Sequence, residues 1–153
     1  MSAGPAEAVD LGPLPGFMFY ALRRAQLAVA QDIQRHFAAD DIRPVQFAVL
    51  VVLHRNPGLR ATRVALALGV KRTNFVPLFD GLVARGLVER RPVPDDRRAA
   101  ALYLTEEGAG MLGRLERLVA QHEARFAARL GLEGRYQLMG LLHRLTESAF
   151  DSG

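Results

Sequence analysis

Four adjacent residues, Lys71-Arg72-Thr73-Asn74, combine side chains that can read a nucleic-acid duplex. A guanidinium forks onto guanine, an amide makes a two-point contact with adenine, and an ammonium or hydroxyl reaches phosphate oxygens. A second group follows within thirty residues: Arg90 and Arg91, then Asp95-Asp96-Arg97-Arg98. A weakly hydrated guanidinium is favoured in a narrow minor groove, and an adjacent aspartate holds it in position by a charge-assisted pair. The competing reading is a solvated turn whose acids and arginines only pair with one another. Charge placement argues for the anion-binding reading. The 153 residues carry a net charge of +4, yet residues 60–98 alone hold nine basic and four acidic side chains, so that quarter of the chain supplies more than the whole excess.

Other chemistries find less support. With no cysteine in the chain, disulfides, thiolate metal sites and thiol redox sensing are excluded. His36, His54, His122 and His143 fall on four different predicted helices, with no pair of histidines one turn apart, so neither a metal site nor a cofactor is expected. No Ser-His-Asp order or paired carboxylate in a loop supports an enzyme. Gly108-Ala109-Gly110-Met111-Leu112-Gly113 matches the GxGxxG pattern, but a dinucleotide site needs a parallel strand after the helix and none follows. The longest apolar run, Phe47 to Leu53, is far below the ~20 residues of a membrane span, and the expected location is the cytoplasm.

The duplex-reading residues need elements to present them. Residues 1–16, with Pro5, Pro13 and Pro15, read as a flexible arm. From Phe17 the stripe Tyr20, Leu27, Ile33 and Phe37 predicts a first helix. Pro44 opens a second helix, which Asn56-Pro57-Gly58 stops. Ala61 to Leu68 and Lys71 to Arg85 are two short helices separated by a turn at Gly69, a helix-turn-helix pattern. Pro77 and Gly81 lie inside the second, which predicts a late start or a bend between Thr73 and Pro77. Leu87 to Arg91 and Ala100 to Leu104 read as two strands of a hairpin. Thr105 then caps a long helix bearing Met111, Leu112, Leu115, Leu118, Val119 and Phe126, and Gly131 and Gly134 bracket the turn into a last helix. The expected fold is mainly α with a small β-hairpin wing. A first helix over 17–43 and C-terminal helices over 105–153 form a dimerisation region, and 44–104 form a winged helix-turn-helix lobe. Leu14, Leu115, Leu118, Leu138, Leu142 and Leu145 are candidate dimer contacts, because the terminal apolar stripes exceed what one small lobe can cover.

This order of elements, with Gly86-Leu87-Val88-Glu89-Arg90-Arg91 before Asp95-Asp96-Arg97-Arg98 and Leu102-Tyr103-Leu104-Thr105-Glu106-Glu107-Gly108 after, resembles the MarR family of bacterial transcriptional regulators. Asp96 and Arg98 fall on the Asp-x-Arg positions of the family's wing. Residues 71–78, with Leu22 to Gln26 and Arg43 to Phe47, are similar to a branch tied to aromatic-acid degradation. The resemblance implies a homodimer on a palindromic double-stranded operator, recognition helices in major grooves, wings in minor grooves, and release by a small, often aromatic, acid or its thioester. For such an effector, Phe17, Tyr20, Phe47 and Leu50 are candidate walls of an apolar cleft, and Arg23 or Arg24 would answer a carboxylate. The same aromatics also read as a plain seam between the first two helices. The alternative function is a helical dimer acting through a protein partner, with a winged lobe that no longer binds DNA; steep salt dependence would separate the two.

Overall fold

A computed structural model of the chain describes residues 9–93 and 96–150, without the side chains of 96–99 and 148–150. Helix α1 (Met18–Phe37) follows a short 3-10 turn at Leu14–Gly16, and a second such turn at Ala38–Asp40 leads to α2 (Pro44–Arg55). Strand β1 (Leu59–Arg60) precedes α3 (Ala61–Ala67) and α4 (Arg72–Ala84). The hairpin β2 (Val88–Val93) and β3 (Asp96–Leu104) then runs into α5 (Glu106–Phe150).

Local chemistry accounts for most of the boundaries. Pro44 occupies the first turn of α2, where a missing amide costs nothing, and the Gln46 side chain accepts the Arg43 backbone N–H at 2.9 Å. Gly86 takes a φ of +68° just past the end of α4, and the Leu87 N–H turns back to the Leu82 carbonyl at 3.1 Å. A side chain would resist that left-handed backbone. The Thr105 hydroxyl donates to the Gly86 carbonyl at 2.6 Å and accepts the Gly108 N–H at 3.0 Å, so one residue caps α5 and ties it to the end of α4.

Strand β1 was not visible as an expectation. It pairs antiparallel with β3, Leu59 opposite Leu102 and Arg60 opposite Ala101, which makes the sheet three-stranded in the order β1-β3-β2. Two further expectations need correction. Helix α4 starts at Arg72 and continues through Pro77, so its start is not late. The C-terminal helices meet at Gly131 alone, whose backbone (φ 70°, ψ 163°) breaks α5 into arms over 106–130 and 132–150, while Gly134 lies within the second arm.

The core is a single cluster. Phe37 from α1, Val49, Leu50 and Leu53 from α2, Val64 from α3, Phe75, Phe79 and Leu82 from α4 and Leu102 from β3 are buried together with Met111, Leu112 and Leu115 of α5. The lobe therefore does not end at residue 104, because the first three turns of α5 complete its core. Leu115, expected at a dimer contact, is wholly buried inside its own lobe and has no surface left to offer a partner. Gly108 explains how α5 comes so close: a β-carbon there would overlap the Leu87 carbonyl oxygen at the base of the hairpin. The first glycine of the GxGxxG match thus serves helix–strand packing, and the strand before it is antiparallel, which removes the dinucleotide reading.

Candidate DNA-binding interface

Helix α4 is anchored by one face and offers the other. Phe75, Phe79 and Leu82 are buried at helical spacing, and their burial leaves Lys71, Arg72, Thr73 and Asn74 exposed on the leading turn. Among the described residues neither Lys71 nor Arg72 has an ion-pair or hydrogen-bond partner for its side chain, so both cations are available to a duplex. Pro77 is exposed on the same helix and lacks the amide that would have bonded to the Thr73 carbonyl, four residues back.

The wing is fastened to α4 by its first arginine. Arg90 is ion-paired with Asp80, and its guanidinium lies 4.8 Å from the centre of the Phe79 ring. Arg91 turns to its own sheet: it donates to Glu89 through Nε at 2.9 Å and lies 4.3 Å from the centre of the Tyr103 ring. Both arginines were expected to face DNA. Here their charge is already answered by acids, and only Arg90 bridges the hairpin to α4. Asp96, Arg97 and Arg98 fall on the first residues of β3, and their side chains lie outside the described residues, as does Asp95 entirely.

A model of the MarR family matches residues 40–99, which span α2, the helix-turn-helix and most of the wing. A putative transcriptional regulatory protein for the hcr operon of Thauera aromatica is 34% identical over 135 residues, covering 88% of this chain and 81% of the relative. The chain belongs to the MarR family. As a MarR-family protein it is a DNA-binding transcriptional regulator and not an enzyme. The transcriptional repressor CouR bound to a 23-mer DNA duplex has a TM-score of 0.86 at 40% identity, over 92% of this chain and 99% of CouR. CouR bound to p-coumaroyl-CoA has a TM-score of 0.85 at 38% identity, over 91% and 98% of the two chains. The PcaV regulator from Streptomyces coelicolor, in complex with its natural ligand, has a TM-score of 0.80 at 28% identity, over 94% and 99%.

Within this MarR-family chain the residues expected to line an effector cleft are not all brought together. Phe17 stacks on Phe19 with ring centres 5.9 Å apart, whereas Phe47 packs on Phe37 at 5.5 Å. Tyr20 is half-buried, and Arg23 and Arg24 are exposed one turn further along α1. Leu50 is wholly buried in the lobe core and cannot line an open cleft, which corrects its assignment. A cavity of about 660 Å³ lies elsewhere, between the start of α2 and α4, lined by Arg43, Gln46, Asn74, Pro77, Leu78 and Arg85. Of the expected dimer contacts, Leu14, Leu118 and Leu142 are half-buried, and Leu138 and Leu145 are each 41% exposed.

Spacing alone did not show one cluster. Asp32 and His122, ninety residues apart, are buried side by side with Oδ2 and Nδ1 2.8 Å apart. Arg35 and Arg125 reach the other carboxylate oxygen at 3.0 and 3.3 Å, and His36 Nδ1 donates to the Asp32 carbonyl at 2.8 Å. The His122 hydrogen bond, helped by the charge of Arg125 and the hydrogen bond from Arg35, holds the Asp32 carboxyl below the usual carboxylate range against the opposing effect of burial. The visible signal was the four-residue spacing of Asp32 and His36 on one helix face; its partner on α5 needed the fold.

Proposed function

We propose that this chain is a homodimeric repressor in the cytoplasm that binds a palindromic operator and is released by an aromatic carboxylate or its thioester. The observation that carries the DNA part is the leading turn of α4, where Lys71, Arg72, Thr73 and Asn74 stand exposed beside a hairpin fastened by Arg90 and Asp80. Two such helices related by a two-fold axis address half-sites about one helical turn apart. Arg98 enters the flanking minor groove, as the wing position it occupies implies.

The dimer reading is supported by apolar surface with no cover in one chain. Met18 and Phe19 at the start of α1, and Leu132, Tyr136 and Leu141 beyond Gly131, are more than half exposed. The effector reading is supported by Arg23 and Arg24 beside the exposed aromatics of α1, and by the ligands held by CouR and PcaV. A ligand that prefers dimers with the wrong spacing between α4 helices lowers operator affinity by mass action.

The deciding experiment is competition binding of the purified chain to the duplex upstream of its own coding region, against a scrambled duplex, across a salt series. The expected result is preference for the natural duplex and a steep fall of affinity with salt, roughly 0.9 log units per log of salt for each phosphate contacted. Equal competition with flat salt dependence would transfer the function to a protein partner.

A further inference from the structure

The junction of α1 and α5 holds a donor set that the duplex interface does not use. Asp32 and His36 stand one turn apart on α1, His122 faces them from α5, and a donor atom from each lies within 4.8 Å of the other two. Asp32 Oδ2 is 2.8 Å from His122 Nδ1 and 3.7 Å from His36 Nδ1. A tetrahedral zinc ion with bonds of roughly 2.0–2.1 Å keeps its ligand atoms about 3.3 Å apart, a value these two spacings bracket. Side-chain adjustment that brings all three donor atoms, now within 4.8 Å of one another, to that spacing would complete the coordination.

Two guanidiniums also approach the carboxylate, and their placement is what makes the site feasible. Arg35 and Arg125 reach Oδ1, leaving Oδ2 to the imidazoles, and their side chains are 75% and 58% exposed. In metal-free protein they neutralise the carboxylate; when a dication takes that task over, both can turn out to water.

We propose that Asp32, His36 and His122 bind one divalent transition metal of the zinc class per chain, with the fourth position open to water. Both Nδ1 atoms now face oxygens that only accept, so a neutral ring here carries its proton on Nδ1 and must move it to Nε2 before Nδ1 can take the metal. His36 Nε2 then becomes a donor and loses its 3.5 Å contact with Arg125 Nη1. Two ligands on α1 and one on α5 make the ion a staple between the two helices.

The test is titration of the full chain, stripped by chelator, with cobalt(II) and then zinc(II). Expected are visible absorption bands of tetrahedral cobalt at one equivalent per chain, their loss on adding zinc, and a Tm raised by about 5 °C or more at saturating zinc. His36→Gln, Asp32→Asn and His122→Gln each weaken binding at least tenfold, while His54→Gln and His143→Gln, on exposed positions, leave it unchanged. His36 is only half-buried, so His36→Gln decides the matter if circular dichroism shows that His122→Gln has not folded. No saturable binding in the micromolar range, or binding that survives His36→Gln, overturns the site.

Discussion

A single carboxylate at residue 32 concentrates much of the buried polar chemistry of this chain. Its pKa is depressed in the folded state, mainly by the His122 hydrogen bond, so its contribution to stability is complete above the ordinary carboxylate value and disappears as pH falls through the folded value. With chelator present, the Tm gap between the wild type and Asp32→Asn should be widest near neutral pH and close below about pH 4. A pH-independent gap would mean that the pair acts only through packing. Gly108 sets a different single-residue limit. Gly108→Ala drives a β-carbon into the Leu87 carbonyl, backbone that cannot rotate aside, and should cost more than about 2 kcal/mol in urea denaturation. The GxGxxG match exposed this glycine in the sequence but suggested a phosphate; the real constraint, a helix seated on a strand, is a contact between residues 21 positions apart.

At the scale of elements, Arg90 joins the wing to α4 through Asp80 and the Phe79 ring. Arg72→Ala or Asn74→Ala should each lose about 1–3 kcal/mol of operator affinity and relax sequence preference, read by fluorescence anisotropy against single-base variants of the operator. Asp80→Ala acts differently. Both members of the Asp80–Arg90 pair are about half exposed, so stability should change by less than about 1 kcal/mol while operator affinity falls with the hairpin's orientation. Near-normal affinity would show that the wing's angle is set elsewhere. Pro77→Ala restores an amide to bond the Thr73 carbonyl and should raise the Tm. These helices were legible because their ends carry local chemistry: Pro44, Gly86 and Thr105 each announce a boundary within a few residues. Strand β1 was not, because two residues contain no period and its pairing with β3 is made over forty positions away. Arg90 and Arg91 were legible as charges, but the acids that occupy them were not.

Across the whole molecule, apolar surface is divided unequally. The lobe buries Phe37, Phe75 and Phe79 almost completely, while Phe19, Leu132 and Tyr136 on the terminal elements are 64%, 84% and 78% exposed. Leu141→Arg should therefore convert a dimer to monomer in sedimentation velocity with the lobe still folded, and lower operator affinity through lost bivalency. A wild-type chain that sediments as a monomer at micromolar concentration would refute the dimer. The sequence showed that the terminal stripes were surplus, yet it drew the lobe boundary one element too early, since Met111, Leu112 and Leu115 face the core only once α5 has docked. That docking has a mechanical consequence. The arm of α5 over 106–130 is a rod of roughly 37 Å, seated on the base of the hairpin at Gly108, tied to α1 through His122 and ended by the break at Gly131. The base of the wing and α1 are thereby joined through one continuous helix, whereas the arm beyond Gly131 starts afresh after the break.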